Sequence, residues 1–203
     1  MLRLKIISLL FATALASQAQ QVTLATPSLM QFTDPSSGIT FRYPAKWSFG
    51  VSSGFYATTS ITSTDNPARG VVFVKASEGF NPYPNTNFDE AEFVYANRKA
   101  SSTAECSASL HGDGDKILAA KTIGTINYVH AQASDAGMCH QTQEDLYATY
   151  RNQTCYLFDL AVHTICPGVK DNSRALTTTE LAQLQSTLEK ILSSVEISDL
   201  KKN

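Results

Sequence analysis

Gly50-Val51-Ser52-Ser53-Gly54 has the G-x-S-x-G spacing that can expose a nucleophilic serine on a sharp strand-to-helix turn. Asp159 and His163 follow in the order serine, acid, histidine that a small secreted serine hydrolase would use. Two observations weigh against that chemistry. The next residues, Phe55-Tyr56-Ala57-Thr58-Thr59, favour strand over helix. Asp159 and His163 sit four apart on one expected strand, which does not line them up as a relay. A hairpin loop explains the serines and glycines more simply, so Ser52 hydrolysis is kept as an alternative.

Metal chemistry has one weak foothold. His111-Gly112-Asp113-Gly114-Asp115 places the carboxylates of Asp113 and Asp115 in a turn, the best place for a loosely held calcium. The loop lacks the twelve-residue spacing and terminal glutamate of an EF-hand. A calcium-dependent binding module is therefore a second alternative. His111, His130, His140 and His163 are scattered, with no H-x-x-x-H pair, and read as single residues. Asp89-Glu90 and Glu144-Asp145 are neighbours in sequence, so their side chains diverge and form no acid/base pair by spacing. No glycine loop suited to phosphate is present, and no cofactor is expected.

Four cysteines, Cys106, Cys139, Cys155 and Cys166, all lie in the second half, and none forms a C-x-x-C. Their compartment is indicated by the N-terminus. Met1-Leu2-Arg3-Leu4-Lys5 is a basic lead, Ile6 to Leu15 is mostly apolar, and small residues at Ala14, Ala16, Ser17 and Ala19 offer cleavage signals. That is the layout of a secretory signal peptide cut after Ala16 or Ala19, with Ala19 taken as the site. Its apolar run is too short to span a bilayer, which takes ~20 residues, and no nearby cysteine offers a lipid anchor. An exported, soluble chain with two disulfides is expected, in the periplasm or outside the cell.

Strand geometry narrows the pairing. Cys155 and Cys166 stand near opposite ends of one expected strand, far beyond the ~7 Å limit between bridged Cα atoms. With a turn at Arg151 to Gln153, Cys139 and Cys155 are equally remote. The remaining connectivity is Cys106–Cys155 and Cys139–Cys166. One conflict stands: aligning the apolar face of the third strand with Leu146 and Ala148 puts Cys139 and Cys166 on different faces.

The elements that must position these residues follow from pattern. Asp34-Pro35-Ser36-Ser37-Gly38 has turn chemistry, and Ile39-Thr40-Phe41-Arg42-Tyr43 alternates as a half-buried strand ending at Pro44. Phe55 to Ser63 favours strand. Val71-Val72-Phe73-Val74 reads as a strand covered on both faces. Asn81-Pro82-Tyr83-Pro84-Asn85 cannot be regular structure. Phe88, Ala91, Val94 and Tyr95 recur at helical spacing after a Thr86-x-x-Asp89 start, which predicts a helix over 87–102. Strands are expected over Thr122 to Ala133, Cys139 to Tyr150 and Thr154 to Thr164, with turns at 134–137 and 151–153. Thr177-x-x-Glu180 and the stripe Leu181, Leu184, Leu188, Ile191, Leu192 predict a second helix near 178–193. Val195-Glu196-Ile197 can add a last strand. The class is α+β with a mainly antiparallel sheet. The organisation expected is a signal peptide (1–19), a flexible leader (20–30), one domain (31–199) and a short tail (200–203).

Gly38-Ile39-Thr40-Phe41-Arg42-Tyr43-Pro44-Ala45-Lys46-Trp47 resembles the opening G-[IF]-x-[FI]-x-Y-P-x-x-W of exported PsbP-like and DcrB-like domains, related in fold to the Ran-binding Mog proteins. The order of elements from about Phe32 to Ile197 is similar too. The resemblance implies an α/β/α sandwich and a non-enzymatic binding or assembly role, with no catalytic residue to carry over. The four cysteines depart from the family pattern. A net charge of −2, with no basic stripe, argues against nucleic acid as partner. The function expected is an exported non-catalytic binding or accessory protein, its partner a protein or cell-envelope component.

Overall fold

Alternating side chains build the first hairpin. In the computed structural model, Ile39, Phe41 and Tyr43 are buried while Arg42 between them is exposed. The structure describes residues 28–50, 61–62, 67–110, 116–168 and 173–198. Strands β1 (Leu29–Asp34) and β2 (Ile39–Pro44) pair antiparallel around a turn in which Gly38 takes φ 72°, a conformation that costs glycine little. Next come β3 (Ser48–Gly50), β4 (Gly70–Lys75) and β5 (Phe88–Lys99). A short helix α1 (Thr103–Ser107) runs into a 3-10 turn (Ala108–Leu110). It precedes β6 (Lys116–Ile117), β7 (Lys121–Ile123), β8 (Ile126–Gly137), β9 (His140–Arg151) and β10 (Thr154–Ile165). The chain closes with α2 (Thr178–Ser193) and β11 (Glu196–Ile197).

Two sheets result. The larger has eight strands in the order β3-β4-β5-β10-β9-β8-β6, with β7 also on β8; the smaller is β1-β2-β11. Pairings between these strands are antiparallel throughout, so the fold is α+β with a mainly antiparallel sheet.

Each face of the large sheet has its own core. On one face Phe93, Tyr95, Tyr128, Tyr147 and Phe158 pack beneath Leu184, Leu188, Ile191 and Leu192 of α2, and beneath Ile39 and Phe41 of the small sheet. The rings meet edge-on or tilted: Phe41–Phe93 at 5.0 Å, Tyr128–Phe158 at 5.9 Å. The opposite face carries Val71, Val94, Ala96, Leu146, Ala148 and Leu157, covered in part by Cys106 of α1 and Leu110 of the 3-10 turn. Among the described residues, the helical layer on this second face is thin.

The C-terminal helix occupies the expected span. Thr177 caps it, its hydroxyl accepting from Glu180 N while Glu180 accepts from Thr177 N, a reciprocal capping box. Glu180 also takes a two-pronged ion pair from Arg174, and the Arg174 hydrogen bonds lead in holding its pKa down to about 2.

The helix expected over 87–102 is corrected by the structure: residues 88–99 form β5, a central strand between β4 and β10. The segment is rich in Phe, Val and Tyr, which fit a pleated surface and favour strand. A bulge disguised that signal: the register slips between His163 and Thr164, so that Phe88 pairs with Thr164 and Glu90 with His163, leaving Asp89 as an extra residue. Phe88 and Ala91, three apart, then join the same core cluster and imitate a helical stripe. The first helix is α1, five residues starting after the Ser102 cap.

Two turns also move. The strand expected over Thr122 to Ala133 is split by a hairpin at Gly124-Thr125, where Gly124 has φ 61°. The turn expected at 134–137 lies at Met138-Cys139 instead, with φ 43° and 68°, because pairing continues to Gly137↔His140. The segment Phe55 to Ser63 falls mostly outside the described residues.

Candidate functional site

Disulfides anchor the second half. Cys106 is bonded to Cys155 and Cys139 to Cys166, with Cα atoms 5.2 and 4.8 Å apart. The β9–β10 register explains the second bridge. Phe158 faces Tyr147 and Ile165 faces His140, one step away from the alignment on Leu146 and Ala148. Cys166 therefore stands directly opposite Cys139, and Cys166 N donates to Cys139 O at 2.8 Å. The expected conflict of faces came from a one-residue slip, which inverts every side chain.

Ser52, His111, Asp113, Asp115 and Ala19 lie outside the described residues. Asp159 and His163 are described, and both project from β10 onto the second face of the large sheet. They do not form a relay with each other. His163 Nε2 lies 3.0 Å from Glu92 Oε1, and Nδ1 lies 3.0 Å from Thr142 Oγ1. Glu90 sits one row away, 3.6 Å from the Lys75 ammonium. Glu90, Glu92, Asp159 and His163 are all at most 2% exposed. Burial, then repulsion from Glu92, pushes the Glu90 carboxyl above its ordinary range. This is a closed polar layer, not an open reaction site: both His163 ring nitrogens are already engaged.

Sequence neighbours diverge as strand geometry requires. Asp145 turns to the aromatic face, where His130 Nε2 lies 2.8 Å away and Gln132 donates at 3.0 Å. Burial works against the Asp145 carboxylate, but those hydrogen bonds outweigh it and hold its pKa below the usual value. The His130 ring stacks parallel on Tyr147 at 4.5 Å. Among the described residues no group of three or more acidic, histidine or cysteine side chains is arranged to hold a metal.

An accessible cavity lies elsewhere, beside the middle turns of α2. It holds about 350 Å³ and is lined by the β2–β3 corner, the 80–83 loop, α2 and Ser28. The corner contributes Pro44, Lys46 and Trp47; the loop contributes Phe80, Pro82 and Tyr83. Leu184 forms part of the α2 wall, with Gln183 and Thr187 beside it.

Each wall is held locally. Trp47 N donates to Pro44 O, closing the corner, and Ala45 N donates to Ser28 O. Asn81 Oδ1 accepts from Tyr83 N, and Thr86 Oγ1 donates to Tyr83 O, so the proline-rich loop is pinned at both ends. The Tyr83 hydroxyl donates to Gln183 Oε1 at 2.9 Å, tying loop to helix. Burial, with Glu180 nearby, raises the Tyr83 pKa and keeps it a neutral donor. Lys46 reaches across the mouth, its Nζ 4.8 Å from the centre of the Phe80 ring.

The groove was not singled out in the sequence. Its signal was present in Phe80-Asn81-Pro82-Tyr83-Pro84, where aromatic rings alternate with prolines in a stretch that can be neither helix nor strand. Nothing in the chain's order shows that this loop faces Trp47 and Leu184.

No protein-family model and no curated relative matches the chain. Several solved structures are similar to it. A crystal structure from Bacteroides thetaiotaomicron has a TM-score of 0.46 at 11% identity over 83% of this chain, which spans 48% of that protein. The solution structure of cyanobacterial PsbP (CyanoP) from Synechocystis has a TM-score of 0.41 at 10% identity, covering 87% of this chain and 96% of that one. The crystal structure of LpqN, involved in cell envelope biogenesis of Mycobacterium tuberculosis, has a TM-score of 0.43 at 12% identity, covering 84% and 91%.

Proposed function

We propose that this protein is an exported, non-catalytic binding or accessory domain of the cell envelope, and that the groove beside Trp47 holds a small apolar or amphiphilic envelope component. The groove carries this reading. Its volume of about 350 Å³ falls within the range of small-molecule sites, roughly 300–1,000 Å³. Its walls are aromatic, proline and leucine side chains with a few polar groups at the edge, the composition such sites share.

Export is supported by the pattern of residues 1–19 and by the two disulfides, which persist in oxidising compartments. In this reading cleavage after Ala19 leaves a leader and a single domain over 31–199. No helix among the described residues is long and apolar enough to cross a membrane. A binding role, rather than catalysis, is supported by the closed partners of His163 and by the Asp145 and Tyr147 contacts of His130.

Trp47 is the chain's one tryptophan and lines the groove, so binding has an internal reporter. Titration with the neutral probe N-phenyl-1-naphthylamine should change Trp47 emission saturably. Thr187→Phe, which fills the groove from α2, should weaken binding at least about tenfold while leaving the circular dichroism spectrum unchanged, the equivalent of ~1.4 kcal/mol. No saturable change in the wild type, or equal binding by T187F, would sink the reading.

A further inference from the structure

We infer that the groove selects ligands that join an apolar body to a single anionic group, with the Lys46 ammonium as the charged contact. The inference rests on the groove being a binding site. Among the described residues Lys46 is the one charged residue lining it; Glu180, close enough to act on Tyr83, is already engaged by Arg174. A cationic ligand would meet like charge there.

The state of Lys46 adds direction. Among the described residues it makes no ion pair; its ammonium rests over the Phe80 ring at 4.8 Å. An exposed cation–π contact is worth only ~0.5–1 kcal/mol, less than a charge-assisted hydrogen bond to an anion. An entering carboxylate, sulfonate or phosphate can therefore draw Lys46 off the ring, uncovering Phe80 for the apolar part of the ligand. A second polar side chain lines the same space: the Gln183 carbonyl accepts from the Tyr83 hydroxyl, and its amide N–H₂ is a further donor on that residue. Lys46 on the corner and Gln183 on α2 thus offer donors from both sides of an apolar cleft.

Two fluorescent probes separate charge from shape. 8-Anilino-1-naphthalenesulfonate and N-phenyl-1-naphthylamine share one ring body, and only the first carries a sulfonate. Both are titrated into the full mature chain, followed by Trp47 quenching, in wild type, Lys46→Met and Thr187→Phe. T187F should weaken both probes. K46M should weaken the sulfonate about fivefold at low ionic strength and leave the neutral probe within about twofold. That fivefold difference should shrink in 1 M salt, where charges are screened within about 3 Å. If K46M changes both probes alike, or neither, the inference is overturned while the groove reading stands. If neither probe binds, or T187F weakens neither, both readings fail together.

Discussion

The two faces of the eight-stranded sheet are made by alternate residues of the same strands, yet they are held together differently. Along β5, Phe93 and Tyr95 point to the α2 side, while Glu90, Glu92 and Val94 point away. Along β10, Phe158, Leu160 and Val162 face α2, while Asp159 and His163 face the other way. The aromatic face is stabilised by area removed from water, a non-directional effect. The charged face depends on particular pairings, because a buried charge that loses its partner has no water to fall back on. One tolerates repacking; the other tolerates little.

The largest expected effect breaks the aromatic face. Phe158 is fully buried and touches Phe93, Tyr95 and Tyr128. Phe158→Ala should cost about 3–5 kcal/mol in urea unfolding. A loss under about 1 kcal/mol would mean this core is not the main support.

The charged face should show a different signature under a pair of substitutions. His163→Leu leaves Glu92 buried without its imidazole and should cost about 3 kcal/mol. Adding Glu92→Leu should recover most of that loss, since replacing both partners of a buried pair is often neutral. Additive losses in the double variant would show that the pair does not act as a unit.

Titration should sharpen the contrast further, with opposite signs. The folded-state pKa of Glu90 is raised, so its contribution is fully present below the unfolded value and is lost as pH rises through the folded value. The pKa of Asp145, on the aromatic side, is lowered. Its contribution is present above the unfolded value and is lost as pH falls through the folded one. Urea midpoints should therefore fall less steeply in Glu90→Gln than in wild type as pH rises above the ordinary glutamate range. Asp145→Asn should soften the acid side alone. Matching profiles for E90Q and wild type would show that the Glu90 carboxyl does not set this slope.

The smallest effect concerns the cover over the aromatic face. Thr177→Ala removes the hydroxyl of the capping box and should cost about 1 kcal/mol in thermal unfolding. It should leave the Glu90-dependent slope untouched, because α2 packs on the aromatic face.

Legibility in the sequence varied with how local each cause was. The α2 helix, its cap, the β2 alternation and the closing strand at 196–197 were readable, because neighbours within a few residues decide them. The β5 strand was not. Its bulge at Asp89 depends on the slip opposite His163 in β10, more than seventy residues away. The same distance hid the charged layer. Glu90 and Glu92 lie inside the segment whose spacing predicts a helix, and only the pairing of β4 and β10 along both edges of that strand buries them. The groove was hidden for a related reason: its walls come from the β2–β3 corner, the 80–83 loop and α2, and only packing brings them together.

By itself, then, the order of residues determined the class of the fold, the span and cap of α2, the alternation of β2 and the pattern expected of an exported N-terminus. These follow from periodicity, turn chemistry and capping, which act over a few bonds. The tertiary structure alone decided that 88–99 is a central strand, that four ionisable groups share a buried face, and that Lys46, Phe80 and Gln183 meet around one cavity. Each needs partners far apart in the chain, and the register that joins them is selected by burial of both faces at once, a condition no single segment can meet.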